Sequence, residues 1–235
     1  MATRGGGAAL AFAWFVAAQA GPVAASSVVE REGTPSVAQR STPSALSEDA
    51  SFASRWVIDG EDNRGLPFAI VDKKRARLYV FSPNGGFVGE SPILLGLAVG
   101  DASIAGIALR APASLSPAER TTPAGRFESE PGHNARGEDI VWFDYDASLA
   151  IHRLRGGPAS QHRNARMESP RSDNKRISYG CIVVPVAFYD AVVRPSLGSQ
   201  RGVVYVLPET RSVVEMFRSK TIKPVAARSR LVADR

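Results

Sequence analysis

The chain predicts a mainly β domain with one or two short helices, and three observations predict it. Apolar residues recur in runs of strand length, some at the two-residue period of a half-buried strand. Clusters of Gly, Pro, Asn, Asp and Ser separate those runs. Windows with a sustained helical period are scarce.

Taken in order, Phe68-Ala69-Ile70-Val71 is the first strand, followed by a basic turn at Asp72-Lys73-Lys74. Arg75, Arg77, Tyr79 and Phe81 then alternate with Ala76, Leu78, Val80 and Ser82, the pleat of a second strand. Ser82-Pro83-Asn84-Gly85-Gly86 is a strong turn, so these runs and the apolar run Ile93 to Val99 form a meander. Ser116 to Arg120 reads as a short helical turn. Val141 to Tyr145 and Leu149 to Leu154 are two further strands, joined by Asp146-Ala147-Ser148. Pro185 to Val193 is the best helix: proline suits a first helical turn, and Val186, Tyr189 and Val193 share one face. Gly202 to Leu207 closes the domain as a buried strand, and no internal repeat is found.

Both ends of the 235-residue chain differ in composition from this middle. Residues 1–25 read as a secretory signal: Arg4, an apolar run from Ala8 to Ala18, then the small-residue sites Ala18-Gln19-Ala20 and Val23-Ala24-Ala25. That run is short for a membrane span, and a retained anchor is the alternative. Residues 26–54, rich in Ser, Thr, Pro and Ala, read as a disordered linker. Residues 55–208 suffice for one domain with its own core. Residues 209–235 form a basic tail with seven cations against three acids. The net charge of +6 suits an anionic envelope polymer and a loose peripheral association, with a merely solvated surface as the equal alternative. Export and the lack of an aromatic-studded basic motif argue against nucleic acid.

Cys181 is the only cysteine. An exported chain with one thiol cannot form an internal disulfide, so the thiol needs another reason. A small buried hydrophobe is one reading. The segment Ser178-Tyr179-Gly180-Cys181 supports another, a nucleophile. Gly180 permits a tight turn that aims the N–H groups of Gly180 and Cys181 at one point, as an oxyanion hole requires. A thiol nucleophile also needs a base. Of His133, His152 and His162, His152 lies in a predicted strand that would hold it rigidly, whereas His133 and His162 lie in loops. One cysteine and three scattered histidines do not make a metal motif.

These residues resemble the L,D-transpeptidase catalytic-domain family, cysteine enzymes that remodel bacterial peptidoglycan. Ile151-His152 matches the family's Ile-His strand. Ser178-Tyr179-Gly180-Cys181 matches its Ser/Thr-His-Gly-Cys turn, with Tyr179 in place of the histidine and Val183 in place of the usual Arg or Asn. Ile70-Val71-Asp72 with Arg77-Leu78-Tyr79-Val80 matches the opening hairpin, and Thr122-Pro123-Ala124-Gly125-Arg126-Phe127 matches a Thr-Pro-x-Gly-x-Phe loop.

The resemblance implies an L,D-transpeptidase-like β-sandwich or barrel in the periplasm or cell envelope, expected to be a monomer. It implies that Cys181 attacks a peptidoglycan stem peptide, with Gly180 in the oxyanion hole, Ser178 and Tyr179 orienting, and no metal or organic cofactor. His152 precedes Cys181 by 29 positions and His162 by 19. The longer interval exceeds the family's, so His162 is the alternative base. Favouring His152 makes residues 153–176 an insertion with seven cations against two acids, a candidate basic lip over the substrate. A non-catalytic wall-binding module and a hydrolase or L,D-carboxypeptidase using the same thiol are the alternative functions.

Overall fold

The computed structural model describes residues 46–104, 106–111 and 114–218. The signal reading, most of the linker and the end of the basic tail lie outside them. Helix α1 (Glu48–Asp59) comes first. Strands β1 (Phe68–Asp72), β2 (Arg77–Phe81), β3 (Phe87–Pro92) and β4 (Leu95–Gly96) follow. Then come β5 (Gly125–His133), β6 (Asp139–Asp144), β7 (Leu149–Arg153), α2 (Arg163–Glu168), β8 (Arg176–Ser178) and β9 (Ile182–Val184). A helical stretch comprises α3 (Val186–Phe188), a π turn (Tyr189–Val193) and α4 (Arg194–Ser196). Strand β10 (Gly202–Val206) and helix α5 (Val213–Arg218) complete the fold.

Eight strands form one sheet in the order β3-β2-β1-β10-β5-β6-β7-β9, while β4 and β8 pair separately. The mainly β expectation is met. Strand β9 at one end of the sheet meets Leu94, just beyond β3 at the other end. Leu94 N–H donates to Val183 O at 2.9 Å and Val183 N–H to Leu94 O at 3.0 Å. That single bridge closes the sheet to a near barrel.

Pleat alternation divides the apolar residues between two cores. Ala69, Val71, Leu78, Val80, Val204 and Val206 face the barrel interior with Val141, Ile151, Ile182 and Val184. Phe68, Ile70, Tyr79, Phe81, Val203 and Tyr205 face outward and are covered by α1 and α5. Strands β1 and β10 are therefore buried on both sides.

Helix α1 begins inside the segment read as linker, and α5 lies inside the segment read as tail. The linker was expected to run to residue 54, but Ser47 caps α1 by accepting from Ala50 N–H at 3.0 Å and bonds Asp72 at 2.6 Å. The helix buries Ala50, Ala53 and Val57, residues too small or too sparse to stand out in a Ser- and Ala-rich stretch. The basic tail likewise begins as α5, where Phe217 packs 4.7 Å from Trp56 between ring centroids.

The run Ile93 to Val99 contributes only the two-residue β4. Its apolar character comes from facing two cores in turn, Ile93 and Leu95 toward the barrel and Leu94 toward a small cluster with Met167 and Val183. Strand β5 was not foreseen because it contains Pro131 and Gly132. It pairs with β10 only through Ser129 and with β6 from Glu130 onward. Pro131 therefore lies past the stretch paired with β10, where its missing N–H breaks no β10 rung. A Cβ on Gly132 would sit 2.6 Å from the Trp142 ring.

Candidate active site

Cys181 follows β8 and leads into β9, which runs parallel to β7. Ile151 is opposite Ile182 and His152 opposite Val183. One step back along that register, Cys181 lies beside Ala150. Its Sγ sits 3.8 Å from Ser148 O. Ser148 has φ +56°, the left-handed region that costs a non-glycine residue energy.

The turn before Cys181 is tightly determined. Gly180 has φ +130°, and a Cβ there would lie 2.7 Å from Thr121 O and 2.8 Å from Leu149 Cδ2. Ser178 Oγ donates to Cys181 O at 2.7 Å and accepts from Gly180 N–H at 3.1 Å. The Gly180 N–H, expected to face an oxyanion, is thus held within the turn. Thr122 Oγ1 donates to Gly180 O at 2.9 Å and accepts from Gly96 N–H at 2.9 Å. Sequence reading quoted Thr122 only as part of a loop motif and missed this contact. Tyr179 is 43% exposed and carries the Arg120 guanidinium 4.5 Å above its ring, so it faces solvent.

His152 is held as a strand residue should be. Its Nδ1 lies 2.8 Å from Arg153 O. A carbonyl can only accept, so Nδ1 carries the proton and Nε2 keeps its lone pair. Burial lowers the His152 pKa, the Arg155 and Arg163 charges lower it further, and the Arg153 carbonyl bond and Glu138 oppose them. Burial likewise pushes the Cys181 thiol up, against hydrogen bonding from the Ala150 backbone and the charge of Arg155. Both shifts favour the uncharged forms, a thiol and an imidazole. Among the described residues, no hydrogen bond joins the two.

His162 is exposed and has φ +46° at the start of α2. His133 ends β5, not a loop, with Nε2 3.3 Å from Asp139. Neither is brought to Cys181 by strand pairing.

Residues 153–176 are folded, and their cations have partners. Arg153 pairs with Asp190 at 2.6 Å and lies 4.1 Å over the Tyr189 ring. Arg155 pairs with Glu138, Arg171 with Asp173 and Arg176 with Glu209. Arg163 bonds Gln161, Arg166 bonds backbone carbonyls, and the buried Lys175 donates to Met167 O near the end of α2. Four cations of the expected basic lip are thus paired with carboxylates, and three bond neutral oxygens. Met167 packs on Val183 and Leu94, with Leu154 and Ile177 alongside. Val183 is a buried member of that cluster.

A cleft of about 340 Å³ opens at the end of β7, lined by Gly137, Glu138, Asp139, Arg153 and Arg155. Among the described residues, no helix is long and apolar enough to cross a membrane, and no group of His, Cys, Asp and Glu could hold a metal ion.

No protein-family model matches the chain, and no curated protein matches it. Among solved structures it is similar to the helical cell shape determining protein Pgp2 from Campylobacter jejuni, with 19% identity and a TM-score of 0.42. That alignment covers 62% of this chain and 49% of that one. A point mutant of the same protein aligns with 16% identity and a TM-score of 0.41, over 62% and 48% of the respective chains. This chain therefore spans about half the length of both.

Proposed function

We propose that the protein is an exported cysteine L,D-transpeptidase acting on peptidoglycan stem peptides. The observation that carries this reading is the pairing of β7 with β9. It sets His152, protonated on Nδ1, two register positions from a solitary thiol at a turn that requires glycine. The motif order along the chain supplies the substrate class.

In this mechanism the Cys181 side chain rotates away from Ser148 O toward the imidazole. As Sγ attacks the carbonyl carbon of the third stem residue, its proton passes to His152 Nε2. The new S–C bond gives a tetrahedral oxyanion. The Cys181 N–H stabilises it, while the Gly180 N–H is engaged by Ser178 Oγ. Such a donor is commonly worth ~3 kcal/mol. Collapse breaks the C–N bond to the terminal D-alanine, and the imidazolium returns its proton to the departing amine. A thioester remains. An amine of a second stem attacks it, loses a proton to His152 and expels the Cys181 sulfur, which takes that proton back. The product is a 3→3 cross-link. Water in place of the amine would give L,D-carboxypeptidase activity.

The shift of both groups toward their uncharged forms is consistent with this sequence, because the base must accept a proton at the moment of attack. The test is release of D-alanine from a tetrapeptide by the wild-type chain, with and without an amine acceptor. Loss of that activity in Cys181→Ala and a carbapenem adduct on wild-type Cys181 by mass spectrometry are expected. A wild type that neither turns over nor acylates overturns the enzyme reading and leaves a wall-binding module.

A further inference from the structure

Away from the thiol, four charged side chains meet where five segments converge. Lys73 follows β1, and its side chain is fully buried. Its Nζ donates to Gly100 O at 2.5 Å, to Asp101 Oδ1 at 2.8 Å and to Thr122 O at 2.9 Å, with Glu209 Oε1 at 3.5 Å. Glu209 also receives Arg176 and the Gly100 N–H at 2.8 Å. Asp101 accepts from the N–H groups of Glu209 at 2.8 Å and Thr210 at 3.0 Å. Two cations and two anions give a cluster with no net charge.

Such a cluster is expensive to desolvate and, against apolar packing, is poor evidence for stability. Its geometry accounts for it in another way. Two of its members lead to the Cys181 turn from opposite sides. Arg176 begins β8, two residues before Ser178, whose hydroxyl holds both Gly180 N–H and Cys181 O. Thr122, fixed at its carbonyl by Lys73, fixes the Gly180 carbonyl through its hydroxyl.

We propose that Lys73 and Thr122 are positioning residues for Cys181, with the buried Lys73 ammonium setting the Thr122 backbone and the Thr122 hydroxyl setting the Gly180 carbonyl. The placement rests on the transpeptidase reading for its catalytic consequence, but the geometry of the thiol does not. A misplacement of about 1 Å is enough to cost on the order of 100-fold in rate. The Gly180–Cys181 peptide carries the N–H of Cys181, so a turn free to rotate there moves both the sulfur and an oxyanion donor.

The experiment uses the full chain in two variants. Thr122→Val keeps the shape and removes the hydroxyl; Lys73→Met keeps the length and removes the charge. Two readouts are taken, the pH profile of Cys181 alkylation by iodoacetamide and kcat and KM for D-alanine release. Thr122→Val is expected to fold, to shift the alkylation profile, and to lower kcat at least tenfold with KM within twofold. Thr122→Ser should restore both. Lys73→Met, where it folds, should match Thr122→Val, and the double variant should be no worse than either alone.

A folded Thr122→Val with the wild-type alkylation profile and kcat overturns the proposal. So does a folded Lys73→Met that behaves as wild type. If Lys73→Met does not fold, Thr122→Val decides. If the wild type releases no D-alanine, the transpeptidase reading fails while the alkylation profiles still decide whether the relay positions the thiol.

Discussion

Replacing Gly180 by alanine tests the turn on which the site depends. The residue has φ +130°, and the added Cβ would meet Thr121 O at 2.7 Å and Leu149 Cδ2 at 2.8 Å. The leucine methyl can turn aside. The carbonyl cannot, because the adjoining Thr122 is tied to Gly96, Gly180 and Lys73. Backbone strain of this kind costs roughly 1–3 kcal/mol, and overpacking a similar amount, so the destabilisation is on the order of 3 kcal/mol. For a domain of this size, about 2–4 °C per kcal/mol converts it to a fall in Tm of ~6–12 °C. Thermal unfolding followed by circular dichroism measures it directly. Gly156→Ala is the control, since nothing lies within 4 Å of its Cβ position, and it should leave Tm unchanged or slightly raised. A Gly180→Ala protein melting within 2 °C of wild type would refute the reasoning, because the turn would then relax at no cost.

Two other outcomes follow from features on the page. The His152 pKa is lowered in the fold, chiefly by burial, so the unfolded chain binds that proton more readily. The stabilising contribution of His152 should be complete above about pH 6.5 and should fade as pH falls through the folded value. Comparing wild type with His152→Gln by urea unfolding between pH 7.5 and 5 isolates this contribution, and parallel profiles would contradict it. Phe217 is buried against Trp56, Phe52 and Tyr205, so Phe217→Ala should cost about 3 kcal/mol. A shift in the urea midpoint worth under ~1 kcal/mol would mean that α5 is not part of the domain's cooperative unit.

Much of the fold was legible where one residue faces one environment. Strands β1, β2, β6, β7 and β10 alternate or run apolar as their two cores require, and the expected segments fall within a residue or two of the observed ones. Legibility failed where a residue's role depends on a distant neighbour. Strand β5 carries Pro131 and Gly132, which are permitted only by where β10 stops pairing and where Trp142 lies. The small alanines of α1 are apolar enough only because β1, β2 and β10 offer an outer face. Within the site, the Gly180 and His152 constraints could be anticipated from local sequence. The Lys73–Thr122 relay and the packing of Met167 on Val183 could not, since they join residues 49 and 16 positions apart through the tertiary fold.

The bridge between Leu94 and Val183 has a consequence for solubility. Strand β9 ends the sheet, and an exposed end strand is a template for strands of other molecules. Here the strand is three residues long. Its middle residue has both backbone groups occupied by Leu94, and its outward side chain lies under Met167. Cys181 thus sits at the rim of the sheet beside an edge too short and too well covered to template another strand.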